Sequence, residues 1–508
     1  MILLDSCYFS FDAGTQSVKV AVYNQHMECL AKVSHPTTLQ YPSPGWVEMN
    51  ADEYLQLTLQ GMRECMSILK KKNILPEQIK AIMGDGIICG IVGIDSSGQA
   101  ITPYINYLDS RTQADVERLK GEHHTIFGEE TGNADPSCMF PAMHARWLLR
   151  NHPEFQQKGR KFVHNAPYIL MHLAGLSSDD AFVDWGTMSG WGLGYHIYEK
   201  TWSEKQLQIL GISQQLLPKI VKPWDIVGTL TETLAKEIGC PAGIPVCAGA
   251  GDTMQSMLGS GIYDAGKAVD VAGTCAMFCV ATDKIIPALS REGSGLIFNS
   301  GTLENTYFYW GFVRTGGLAL RWFKDNICRQ ETDNYYQMLS EKASLTVPGC
   351  HGVLFLPYLT GGYDTYADVK GAFLNMTLDT DQFVLWRSVL EAIAYDYKDV
   401  TDAYRQAGIL IEQITVTEGG SRDDLWNQIK ADVLEAKLQT LEVSGGAVLT
   451  NAAIAAYAAG DISDLKKILS GNMQIRQQYQ PDPVRTKIYH EQAVRQKKFL
   501  KNLHPDSE

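Results

Sequence analysis

Short apolar runs alternate along this chain with amphipathic stretches of helical period, and the same order returns in its second half. Tyr8-Phe9-Ser10-Phe11-Asp12 and Val18-Lys19-Val20-Ala21-Val22-Tyr23 read as strands on either side of Ala13-Gly14-Thr15, and a third follows from Cys29 to Val33. Pro42-Ser43-Pro44-Gly45-Trp46 marks a rigid turn. Asn50 followed by Glu53 resembles a capping box, and the spacing of Tyr54, Leu55, Leu59, Met62, Met66 and Leu69 predicts a helix to about Lys72. Further strands are expected at Ile79 to Met83, Ile87 to Ile94 and Pro103 to Leu108, and a helix at Thr112 to Lys120.

The second half repeats the opening. Ala268-Val269-Asp270-Val271 leads into Ala272-Gly273-Thr274, and Cys275-Ala276-Met277-Phe278-Cys279-Val280 leads out. Helices are predicted from Leu318 to Asn326, with Arg314-Thr315-Gly316-Gly317 as entry, from Phe383 to about Gln406, and from Asn451 to Ala459 after Gly445-Gly446-Ala447. Ile414 to Thr417 reads as a strand ending in Glu418-Gly419-Gly420. A last helical, basic-leaning stretch from Tyr479 to Leu503 either packs back on the first domain or frays at the surface. Strands alternating with helices imply α/β layers. No low-complexity linker appears, so the repeat alone sets the boundary near residue 258, giving domains 1–258 and 259–508.

Composition narrows the class of partner. The chain has 508 residues and a formal net charge of −13, so nucleic acid and anionic membranes, which demand clustered basic residues, are not expected partners. Eleven cysteines, an odd number, lack paired spacing, and Met1 to Asp5 lacks a basic start and long apolar stretch. A reducing, cytoplasmic setting is the expectation. Cys275 and Cys279 lie in an apolar strand pattern without a second Cys/His pair, which favours buried thiols over a metal site.

The recurrent tripeptide is the first candidate for chemistry. A Gly-Thr turn between strands can offer backbone N–H groups and a hydroxyl to a phosphate, because glycine lets backbone and ligand approach closely. Gly14, Thr15, Gln16, Ser17 and Lys19 form one such grip, and Gly273 with Thr274 the other. Two ordinary hairpins remain the alternative. Only the first carries a carboxylate at its tip, Asp12, where the second has Val271, so Asp12 is the candidate for a hard cation such as Mg²⁺. Neither a Gly-x-x-x-x-Gly-Lys-Ser/Thr loop nor a dinucleotide fingerprint occurs in frame.

Two further groups stand out. Asp252, after Gly249-Ala250-Gly251, begins a probable helix: it is either an N-cap or, beside a phosphate grip, a base for an attacking hydroxyl. Asp109-Ser110-Arg111 follows a strand and reads equally as a surface salt bridge or as a polar cluster facing a cleft.

Taken in order, these residues resemble the FGGY family of carbohydrate kinases, and within it the xylulokinase branch. Asp12 to Lys19 is similar to the family's phosphate hairpin, Pro44-Gly45-Trp46-Val47-Glu48 and Asp109-Ser110-Arg111-Thr112 to further patterns of its first domain, and Gly249-Ala250-Gly251-Asp252 to the stretch holding its catalytic base. Gly273-Thr274 resembles the second phosphate turn, and Gly316-Gly317 before Leu320-Arg321-Trp322-Phe323 a nucleotide-contacting stretch. Leu356-Pro357-Tyr358-Leu359-Thr360-Gly361-Gly362, with Gly371-Ala372-Phe373, resembles the second domain's signature, and Glu418-Gly419-Gly420-Ser421-Arg422 the adenosine side.

The resemblance implies two actin-like, ribonuclease-H-like α/β domains related by duplication, with ATP and sugar meeting in an interdomain cleft. It implies an ATP- and Mg²⁺-dependent phosphorylation of a primary hydroxyl, with D-xylulose as the first candidate acceptor and a homodimer as a candidate assembly. Asp252 would be the base and contact the sugar, Asp12 would hold the metal, and Thr15, Gln16, Ser17, Lys19, Gly273, Thr274, Gly317, Gly419 and Gly420 would contact the nucleotide. Ile88, Cys89, Asp109 and Arg111 would line the sugar site. One departure bears on the acceptor: where xylulokinases carry Gly-Gln-Met-His-Gly, this chain has Gly86-Ile87-Ile88-Cys89-Gly90, preceded by Asp85. Without the imidazole and amide, ribulose, gluconate, a deoxy-sugar or a tetritol stay open as acceptors. A catalytically silent, actin-like ATP-binding sugar sensor is the alternative outside the enzymes.

Overall fold

The computed structural model describes the chain except for residues 1–4, 274–275, 314–315, 330–333, 360–368, 443–445 and 504–508. Thr274, Cys275, Arg314, Thr315, Thr360 to Gly362 and Gly445 therefore lie outside the described residues. The chain divides into two compact units, each assembled from separated segments. The first comprises Met1–Tyr263, Asp283–Phe308 and Gly445–Met473, and the second Asp264–Thr282, Tyr309–Ser444 and Gln474–Glu508. The alanine-rich helix Ala447–Ala458, distant in sequence, packs on strands Cys7–Ala13 and Ile79–Gly86 of the first unit.

In the first unit the central sheet runs Ile226–Thr229, Pro245–Cys247, Ile79–Gly86, Cys7–Ala13, Ser17–Asn24, Cys29–Pro36, with Ala250–Gly251 also pairing Ile79–Gly86. All seven residues of Cys7–Ala13 are buried, which is why this strand reads as a nearly continuous apolar run rather than an alternating one. It pairs antiparallel with Ser17–Asn24 and parallel with Ile79–Gly86. The helix Ala51–Lys71 covers one face. Asn50 Oδ1 accepts from Asp52 N and Glu53 N, while the Glu53 carboxylate takes the Thr38 hydroxyl at 3.0 Å and leaves the expected box half made. Gly61 lets this helix lie close to the sheet, since a Cβ there would sit 2.5 Å from Val20 Cγ2.

The second unit has the same sequence of moves. Lys267–Ala272 pairs antiparallel with Ala276–Thr282 and parallel with Gln413–Thr417, which pairs parallel with Lys437–Leu441, and Ile475–Tyr479 closes the order antiparallel. The repeated hairpin followed by parallel crossovers is the duplicated scaffold expected. Helices Gln382–Gln406 and Asp424–Leu434 supply its packing.

Several boundaries move. Ile87, Ile88 and Cys89 form a bend between strands Ile79–Gly86 and Gly90–Ile94 rather than the start of the second strand. The expected helix from Leu318 is two pieces, Gly316–Trp322 and a π-helical Phe323–Cys328. The terminal helix is Pro483–Leu503, preceded by a strand, and it belongs to the second unit: Arg387 Nη2 donates to Tyr489 OH at 2.7 Å and Gln496 Nε2 to Phe355 O at 2.7 Å. Among the described residues no helix is long and apolar enough to cross a membrane.

Candidate active site

The first hairpin tip is fixed from four directions. Gly14 N donates to Ser17 O at 3.1 Å to close the turn. Tyr54 OH reaches Gly14 O at 3.2 Å, Thr37 Oγ1 reaches Thr15 O at 2.6 Å, and Asn165 Nδ2 reaches Ala13 O at 2.7 Å. With its carbonyls held from behind, the turn keeps one conformation. Cross-strand register sets Asp12 opposite Lys19, and the Lys19 ammonium bonds Asp12 Oδ2 at 2.9 Å.

Asp252 stands at the end of a neighbouring strand. Ala250–Gly251 pairs parallel with Ile79–Gly86, and Asp252 opens the helix Asp252–Gly259 directly after it. The N-cap is Gly251, so Asp252 is not the cap; its Oδ1 accepts from Thr253 N at 2.6 Å and Thr253 Oγ1 at 3.2 Å. Burial, and next the negative charge of Asp12, raise its carboxyl to about 7, against the pull of Thr253 and Lys19. A carboxyl tuned near neutrality is suited to take a proton from an alcohol.

The sugar-side candidates ride on a small sheet of Glu48–Met49, Tyr104–Asn106, Gly90–Ile94 and Lys161–Val163. The bend before Gly90 turns Ile88 toward the strand that carries Asp252: a Cβ on Gly251 would collide with Ile88 Cγ2. Cys89 donates to Gly190 O at 3.5 Å, and burial followed by the charge of Asp252 pushes its thiol up. Both residues are buried. Tyr104, whose Cζ would meet a Cβ on Gly90, is raised by burial and by its neighbours Tyr54, Cys89 and Asp252.

Asp109 and Arg111 face each other. Arg111 Nε bonds Asp109 Oδ1 at 2.9 Å, Nη2 bonds Asp109 Oδ2 and Glu48 Oε1 at 2.7 Å each, and the guanidinium lies 3.9 Å from the Trp46 ring centroid. Val47 N also donates to Asp109 Oδ2, at 2.6 Å. The two form an ion pair inside the protein rather than on its surface, since both side chains are almost wholly buried. The pair therefore pins the small sheet to the segment after it.

The second unit holds a cavity of about 1120 Å³ whose wall includes Gly273, Gly317, Gly419, Gly420, Tyr336 and Trp426. Four sequence-predicted glycines thus meet in one place. Strand Gln413–Thr417 ends beside the second hairpin, with Thr417 opposite Val271. Gly420 is forced by closeness, because a Cβ would lie 2.5 Å from Ala272 Cβ and 2.8 Å from Trp426 Cζ3. Gly317 N donates to Gly273 O at 3.0 Å and ties the following helix to the hairpin. Glu418 (φ 61, ψ −162) holds a backbone conformation ordinarily left to glycine, a local strain that sets the entry to this wall.

Sequence reasoning missed the supports. Asn451 Nδ2 donates to Phe11 O at 2.8 Å and its Oδ1 accepts from Gln255 Nε2 at 2.5 Å, joining the helix Ala447–Ala458 to the first strand and to the Asp252 helix. A lone Asn in an alanine-rich helix was the one available signal. Tyr54 and Asn165 carried none, being ordinary members of amphipathic helices. Asp12, whose Oδ2 takes Lys19, keeps Oδ1 as a hard carboxylate oxygen, the donor chemistry a Mg²⁺ ion takes, so it fits the metal that the resemblance implies.

The fold is that of two-domain carbohydrate kinases: it superimposes on a xylulose kinase structure from Rhodospirillum rubrum with a TM-score of 0.87 at 24% identity, covering 98% of this chain and 99% of that one. The N-terminal domain model of the FGGY family of carbohydrate kinases matches residues 7–259 and its C-terminal domain model residues 268–459. The chain belongs to that family and is a carbohydrate kinase. It is 25% identical to the xylulose kinase of Bacillus subtilis (strain 168) over 463 residues, 90% of this chain and 89% of that protein. It is 26% identical to the gluconokinase of Bacillus licheniformis over 471 residues, 90% and 89% of the two chains.

Proposed function

We propose that this kinase uses ATP and Mg²⁺ to phosphorylate a primary hydroxyl of an open-chain sugar, with D-xylulose as acceptor and D-xylulose 5-phosphate as product. The observation that carries the reading is Asp252, a carboxyl raised to about 7 at a strand end beside Asp12. Its described hydrogen bonds fall on Oδ1, which leaves Oδ2 to accept the proton of an attacking hydroxyl. Lys19 and the N–H groups of the Gly14 turn would draw the terminal phosphate, and the glycine-lined cavity would take the nucleotide. Mg²⁺, held by Asp12, would neutralise charge on the phosphoryl oxygens. Because the phosphoryl transition state is loose, alignment and charge neutralisation supply most of the acceleration. A cytoplasmic setting goes with this reading, supported by the free thiols of the ten described cysteines.

A second reading keeps the chemistry and changes the acceptor. Ile88 and Cys89 bring apolar side chains to the stretch preceding the small sheet, which favours an acceptor with fewer hydroxyls on that side. ADP release measured with D-xylulose, ribulose, gluconate, a deoxy-sugar and a tetritol decides between them. D-xylulose is expected to give the highest kcat/KM. Another sugar exceeding it more than about tenfold replaces it as acceptor, and no ADP release with any sugar returns the chain to the sensor class.

A further inference from the structure

A third carboxyl lies beside Asp12 and Asp252, and neither the scaffold nor the base reading uses it. Parallel register sets Asp85 directly opposite Asp12 and, on its other side, opposite Ala250. Residues paired in this way on neighbouring strands point to the same face of the sheet about 4.8 Å apart. Asp85 is fully buried, and neither carboxyl oxygen has a hydrogen-bond partner among the described residues. Lys19 and the Asn451 amide partly offset its charge, and each also serves another group. Lys19 bonds Asp12 at 2.9 Å, and Asn451 donates to Phe11 O at 2.8 Å. A carboxyl buried this fully is costly to keep, and an uncharged residue of the same size would avoid that cost.

We propose that Asp85 is a second carboxylate ligand of the divalent cation, sharing it with Asp12, and that the pair forms a cation site able to load before the nucleotide arrives. Mg²⁺ and Mn²⁺ are hard ions that take one or two carboxylates and complete their shell with water and phosphate oxygens. Asp12 offers Oδ1, since Oδ2 is engaged by Lys19, and Asp85 offers both oxygens. The strand register holds the two donors at fixed separation, so the cation meets a preformed pair. The proposal rests on the reading of Asp12 as the metal carboxylate.

Mn²⁺ titrated into nucleotide-free protein, with free ion read by electron paramagnetic resonance, tests it. The unsubstituted chain is expected to bind one Mn²⁺, and Asp85→Asn and Asp85→Ser to weaken that binding about tenfold or more, with metal-free ATP binding unchanged. Equal Mn²⁺ affinity in the chain and both variants overturns the proposal, as does a chain that binds no Mn²⁺ without nucleotide. Asp12→Asn separates the two claims. A loss confined to Asp12→Asn overturns the role of Asp85 alone, whereas binding insensitive to Asp12→Asn overturns the metal reading of Asp12. Should neither Asp85 variant fold, Fe²⁺ with ascorbate and peroxide can be applied to the unsubstituted protein. Backbone cleavage within residues 79–86 supports the site, and cleavage confined to other segments overturns it.

Discussion

The two hairpins share a strand–turn–strand order and differ in the side chains their strands carry. In the first, Asp12 faces Lys19 across the strands and the ion pair stands next to two further carboxyls. In the second, Val271 faces Met277, so no carboxylate stands at the position of Asp12, and the neighbouring segments bring Gly317, Gly419 and Gly420 to the cavity wall. The two copies keep antiparallel strands around an Ala-Gly-Thr sequence but differ by one residue in pairing register, Ala13 facing Val18 and Ala272 facing Ala276, and they differ in the side chains beside it. The charged end suits metal, proton and acceptor; the smooth end suits the broad face of a nucleotide. A repeated scaffold therefore does not mean a repeated role.

Breaking the charged end has the larger expected effect. Asp12→Asn keeps the shape and removes the carboxylate proposed to hold the metal; kcat/KM is expected to fall about a hundredfold, with the Mg²⁺ needed for half-maximal rate rising. Steady-state kinetics across a Mg²⁺ series checks this, and an unchanged Mg²⁺ requirement would give Asp12 to the scaffold. Crowding the smooth end costs less. Gly420→Ala drives a methyl into Ala272 and Trp426, so the KM for ATP is expected to rise about tenfold with kcat nearly kept. Val271→Asp sharpens the contrast directly: a carboxylate at the second tip repels phosphate, and ATP affinity by calorimetry should drop several-fold without any gain in metal binding.

The pH responses are smaller and have a definite sign. Asp252 must be ionised to act as a base, so kcat/KM should fall tenfold per unit below a midpoint near 7 and level off above it. Stability moves the other way. An unfolded aspartate ionises near 3.8 while the folded one holds its proton to about 7, so its contribution is full below 3.8 and is lost as pH rises to about 7. Thermal melts at pH 8 should accordingly find Asp252→Asn more stable than the parent by about 1 kcal/mol after screening by solvent.

Much of this was legible from local pattern. The helix at Ala51–Lys71 and the strand at Gln413–Thr417 appear within a residue of their expected ends, because Asn50 and the apolar spacing act over one or two turns. The exchange of Gly445–Met473 into the first unit was not legible, since an alanine-rich helix carries no mark of which sheet it covers. The bend at Ile87 to Cys89 was read as strand for a related reason: apolar side chains serve a buried bend as well as a strand. In the site, glycines and carboxylates announced themselves by type. Their supports, Tyr54, Asn165 and Asn451, did not, because what defines them is a carbonyl far away in sequence. Asp85 was visible only as an odd residue before the Ile-Ile-Cys departure; its meaning depends on parallel register.

The central claim is that one carboxylate readies a sugar hydroxyl for attack on a phosphate held by other residues. Single-turnover phosphoryl transfer from ATP to the preferred sugar, measured in Asp252→Asn beside calorimetric ATP binding by the same preparation, tests it most directly. The account expects transfer slowed by about a thousandfold or more, with ATP affinity within about twofold of the parent. Transfer at the parental rate in a folded, ATP-binding Asp252→Asn protein would contradict it.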